Sequence, residues 1–243
     1  RGASPAAEGG AMAAAAPALD AGAYRRLYPE AFVSQFLAAG TRPDGRAPPH
    51  TRPATVAPGA VSSARPGGSA LVRLGGTALV ATCTAEVLPP APGACVGSAS
   101  PPEGALEVVV DVGPVCCVSA RKGAAAAQED AAVLSERVAG VLRAAGCVDP
   151  AKLAVPGGRG AAWLVRVAVT CLSADGALLD GALLAAAAAL TDARLPASVE
   201  VSEQGRVQAD PNGPSVPLPL NPLPLALTVA LCRGHLLCDP TAE

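Results

Sequence analysis

Twenty residues, GSALVRLGGTALVATCTAEV at positions 68–87, restrict what this chain can become. Two apolar runs, Leu71-Val72-Arg73-Leu74 and Thr77-Ala78-Leu79-Val80, flank Gly75-Gly76. Aliphatic and β-branched runs of this length favour strands. A two-residue loop joins antiparallel strands only where its central residues tolerate positive φ. The segment therefore predicts a hairpin, with two glycines supplying those angles. Strands are also predicted at 106–112 and 163–172. Residues 124–145 read as a helix: Gln128, Glu129 and Asp130 lie early, Arg137 and Arg143 late, and Gly146 ends it. Asp175-Gly176 reads as a turn closing a hairpin. Residues 178–190 are expected to begin extended and become an Ala/Leu helix, with Asp180 placed ahead of it as a cap. Residues 199–201 and 206–208 flank a turn at Gln204-Gly205, and 225–231 and 235–238 flank Arg233-Gly234. Each half thus offers strands, hairpins and one long helix, which is an α+β pattern of mixed sheets with helices packed on them.

Composition narrows the function classes. With 243 residues and 51% hydrophobic against 16% charged, the chain is large and apolar enough for a sizeable core. A net charge of −2 argues against a broad basic surface, since nucleic-acid affinity comes mainly from neutralising phosphates, and leaves room for a small local basic patch. The longest apolar helical stretch, 181–190, is too short to cross a bilayer. The later apolar tract is broken by Pro217, Pro219, Pro222 and Pro224, so no membrane association is expected. The 8 cysteines form no CxxC pair, and His50 and His235 are the only histidines, so clustered zinc ligands are absent. Reduced core thiols in cytosol or nucleus are the expectation. Residues 1–19 are low-complexity Ala/Gly/Pro, lack an apolar signal segment and are expected to be disordered; Met12 is the expected natural start. From Asp20 to Ala39 the pattern turns helical. Tyr24, Tyr28, Phe32 and Phe36 share one face, and Pro29 kinks or splits the segment. Packing of this stripe on the protein's own core is favoured over docking to a neighbour.

The motifs carry a family resemblance. RPDGR at Arg42–Arg46, the hairpin block at 68–87, Leu179-Asp180-Gly181 leading into the Ala/Leu helix, and LCDPT at Leu237–Thr241 together resemble the RNase PH family. The likeness spans roughly residues 20–243, read as a single RNase PH-like domain that lacks the C-terminal helix following the Asp-Pro-Thr strand in relatives. Within the family it resembles the ring subunits of the eukaryotic RNA exosome. The resemblance implies a place in a six-membered ring around an RNA channel, with cap subunits above and a catalytic nuclease below. It also implies rRNA processing and RNA decay in nucleus, nucleolus and cytoplasm.

Phosphorolysis needs a phosphate pocket and carboxylates that hold a metal or move a proton. Between Asp210 and Asp239 there is no Asp or Glu; the segment is proline and aliphatic. Asp210, Asp175 and Asp180 read as turn and cap residues. The expectation is a chain without catalytic residues, metal or resident cofactor. The alternative is a phosphorolytic 3′–5′ exoribonuclease subunit that lends groups to a composite site. Gly157-Gly158-Arg159-Gly160 precedes a strand and so reads as a turn, because a phosphate loop follows a strand and opens a helix. The resemblance places Arg121 and Lys122, in the loop ahead of residue 124, against RNA phosphates in the channel.

Overall fold

The computed structural model describes residues 20–61, 67–88, 103–113, 116, 124–155, 161–197, 199–201, 207–209 and 213–242. The expected disorder of 1–19 and the start at Met12 lie outside them. The chain folds as two compact units. Of the described residues, one unit holds those up to Pro48 with Arg233–His235, and the other holds those from Pro49 to Cys232 and from Leu236 onward.

In the first unit Pro29 splits the amino-terminal helical segment. Helix α1 is Ala21–Leu27 and helix α2 is Pro29–Ala38, with Pro29 at its first position, where the missing N–H costs nothing. The aromatic stripe packs largely on itself: ring centroids are 5.7 Å apart for Tyr24–Tyr28, 6.4 Å for Tyr24–Phe32 and 5.0 Å for Phe32–Phe36. RPDGR closes a tight turn. Arg46 accepts from the Arg42 N–H through its carbonyl, and the Gly45 N–H donates to the Arg42 carbonyl, both at 2.9 Å. Asp44 receives the Arg46 N–H at 3.0 Å and its Nε at 2.8 Å. Desolvation opposes ionisation of Asp44, but the hydrogen bonds and charge of Arg46 outweigh it and hold the carboxyl below its usual range.

The second unit is built on a seven-stranded mixed sheet. Strands β1 (Ala54–Pro58), β2 (Gly67–Leu74), β3 (Thr77–Leu88), β4 (Ala105–Val112), β5 (Ala162–Ser173), β6 (Arg194–Pro196) and β9 (Ser215–Pro217) run in the order β4-β5-β3-β2-β6-β9, with β1 also on β2. The predicted hairpin is there, with Leu74 opposite Thr77. Only one of its two glycines has positive φ, Gly75 at +58°. Gly76 is needed for space instead, because a β-carbon there would lie 2.7 Å from Asp175 Oδ2. β4 runs parallel to β5, whereas β5 pairs antiparallel with β3. Strands from both halves of the sequence therefore interleave in one mixed sheet, within the expected α+β architecture. Two small sheets, β7 (Val199–Val201) with β8 (Val207–Ala209) and β10 (Val229–Cys232) with β11 (His235–Cys238), complete the strands. β10 is shorter than the 225–231 run expected for it, starting only at Val229.

Helix α3 (Ala124–Ala144) ends at Gly146, as expected, and packs on β4. Helix α4 is Leu178–Asp192 and is helical from its first residue, contrary to the expected extended start. Gly176 and Ala177, both at positive φ (74° and 45°), turn β5 directly into it. Asp175-Gly176 is thus a strand-to-helix turn, not a hairpin turn. α4 is buried along nearly its whole length. Its alanines, Ala182, Ala185, Ala186 and Ala189, let it lie close to β2 and β3. The approach is closest at Gly68, where a β-carbon would sit 2.5 Å from the Ala193 nitrogen and 2.6 Å from the Ala189 carbonyl oxygen. The core joins Val72, Leu79, Val138, Leu142, Trp163, Val165, Val167, Leu183 and Leu190. Each such side chain contributes about 1.5–3 kcal/mol by leaving water. Cys83, Cys147 and Cys171 lie in it, and no disulfide links the described cysteines.

Gly68→Ala is expected to destabilise the protein by about 1–3 kcal/mol, as overpacking does. Gly140→Ala, where nothing lies within 4 Å of the new carbon in α3, is expected to stabilise by about 0.5–1 kcal/mol. Urea unfolding followed by the emission of the single tryptophan, Trp163, reads both. Burial pushes the Cys83 thiol up to about 12. Its folded pKa exceeds its unfolded one, so this stabilising contribution is complete at neutral pH and is lost as pH rises from about 9 towards 12. Alkylation of Cys83 at pH 9 is expected only after denaturant is added, as peptide mass mapping will show.

Candidate functional site

Arg52, just ahead of β1, and Asp239, just after β11, are 187 residues apart and meet in the interior. Both side chains are almost inaccessible, 6% and 2%. A buried guanidinium has five N–H donors to satisfy, and here acceptors converge on it. Its Nε donates to Asp239 Oδ2 at 2.9 Å and its Nη2 to Oδ1 at 2.6 Å, a two-pronged pairing. The Arg52 backbone N–H adds a third bond to Asp239 Oδ2 at 2.8 Å. Nη1 reaches the Asp175 carbonyl, and Oδ2 of the same residue at 3.4 Å. Asp239 sits at φ 54°, a left-handed conformation that a short polar residue tolerates. Gly176 makes room beside it, since a side chain there would collide with the Pro240 carbonyl. Thr77 Oγ1 accepts from the Asp175 N–H and donates to the Gly176 carbonyl, both at 3.0 Å.

A cleft of about 290 Å³ opens beside this cluster, lined by Thr51, Arg52, Asp180, Leu184, Leu227 and Asp239 among others. Asp180 was expected to cap α4. It lies inside the first turn of the helix and does something else. Its Oδ2 accepts the Thr228 N–H at 2.6 Å and its Oδ1 the Thr228 hydroxyl at 2.8 Å. The acid-free segment is thereby tied down, because Thr228 also accepts the Asp239 N–H through its carbonyl at 2.8 Å. Two carboxylates line one cleft, yet each is committed to a structural partner. Among the described residues no group of three or more metal-ligating side chains gathers in one place.

A wider groove, about 660 Å³, lies between β4 and α3. Ser135 Oγ accepts the Val110 N–H there at 2.8 Å and so caps the end strand of the sheet. Glu136 and Asp111 are the acidic residues on its walls. Its chemistry is that of a protected sheet edge. Arg121, Lys122 and Asp210 lie outside the described residues, as do Gly157–Gly160. The described residues on either side of Arg121 and Lys122 are Cys116, beyond β4, and Ala124 at the start of α3. Sequence reading missed Arg52 altogether. The available signal was an arginine between Thr51 and Pro53, directly ahead of the first strand, in a chain with few charges.

The match to a family model begins at this arginine's neighbourhood. Residues 50–196 match the family model described as the 3′ exoribonuclease family, domain 1, RNase PH. The chain belongs to the RNase PH family. The exosome complex component Rrp42 of Pyrobaculum aerophilum is 35% identical over 212 residues, covering 87% of this chain and 73% of that protein. Rrp42 of Methanopyrus kandleri is 33% identical, with 87% and 74% covered. A solved structure of the Archaeoglobus fulgidus exosome with RNA bound to the active site superimposes with a TM-score of 0.69 at 29% identity, covering 87% of this chain and 75% of that one. Rice Rrp46, 20% identical with a TM-score of 0.53, shares the fold.

Arg52→Met is expected to cost about 3–5 kcal/mol, the loss seen when one partner of a buried ion pair is removed. Thr228→Val keeps the shape but leaves Asp180 Oδ1 without its donor, an expected cost of about 1–2 kcal/mol. Thermal unfolding of the two variants beside the parent checks the order.

Proposed function

We propose that this RNase PH-family chain is a non-catalytic subunit of an exosome-type ring that guides the 3′ ends of single-stranded RNA to a separate nuclease. The observation that carries the reading is the commitment of both cleft carboxylates. Asp180 is held by Thr228 and Asp239 by Arg52, so neither is left to bind a divalent cation or transfer a proton to a leaving ribose oxygen. The segment facing them, 213–238, contributes no acid. Membership of a ring is supported by the similarity to archaeal Rrp42 proteins and to an archaeal exosome core structure, which superimposes with a TM-score of 0.65. On this reading the partners are other RNase PH-fold subunits, cap subunits and a catalytic nuclease. The finer assignment is the eukaryotic subunit ribosomal RNA-processing protein 43, acting in rRNA processing and RNA decay in nucleus, nucleolus and cytoplasm. Arg121 and Lys122 are proposed to hold RNA phosphates inside the assembled ring, where charge and N–H donors suffice without reading bases.

The purified chain is expected to release no nucleoside diphosphate from RNA in the presence of phosphate and magnesium, and to co-elute with RNase PH-fold ring subunits on size exclusion. Phosphorolysis by the chain alone would overturn the reading. Arg121→Ala with Lys122→Ala is expected to weaken RNA binding by the assembled ring uniformly across sequences and to reduce its salt slope by about 2. An unchanged slope would remove these residues from the RNA path. Phosphorolysis that appears only in the assembly and disappears in this double variant would favour a composite site instead.

A further inference from the structure

We draw no further inference here: the strongest candidate, the groove of about 660 Å³ between the end strand β4 and helix α3, is already bridged at its backbone by Ser135, and nothing in the structure shows what else covers it.

Discussion

The pairing of Arg52 with Asp239 is the constraint on which the second unit depends. Burying a guanidinium or a carboxylate alone costs several kcal/mol, so neither tolerates the interior without the other. Their two-pronged contact, the extra bond from the Arg52 backbone and the reach to Asp175 make one network from three distant stretches of chain. The lead into β1, the turn between β5 and α4, and the end of β11 must all arrive together for any of these groups to be satisfied. A network of this kind rewards one arrangement and penalises partial ones.

The same network engages the carboxylates of the cleft. Asp180 and Asp239 line it together, and in a bare count of carboxylates they would pass for an acid–base pair. Their oxygens face donors of the protein itself. Thr228 joins the two by accepting from Asp239 and donating to Asp180, so the proline- and leucine-rich arm is fastened to both.

Packing of α4 on the sheet is the second constraint, and it is steric. Alanines along the helix and Gly68 on β2 bring backbone close to backbone, which leaves little void and little tolerance for an added methyl group. The abrupt turn at Gly176 and Ala177 starts the helix at once after β5 and places Asp180 in its first turn, within reach of Thr228. The position of the helix therefore also sets the geometry of the cleft.

Local sequence determined the local elements. The hairpin at Gly75-Gly76, the split at Pro29, the end of α3 at Gly146 and the long strand around Trp163 follow from φ preferences, missing N–H donors and apolar periodicity, all of which act within a few residues. The family was legible too, because RPDGR, the hairpin block and Asp-Pro-Thr keep their order along the chain. What the sequence could not decide is which distant groups meet. Asp180 looked like a helix cap and Asp175 like a hairpin turn because short-range rules offer those roles first. Their partners, Thr228 and Arg52, lie 48 and 123 residues away. Only the folded sheet, with β5 inserted beside β3, brings them within hydrogen-bonding distance, since the desolvation that makes such bonds necessary exists only once the core has closed.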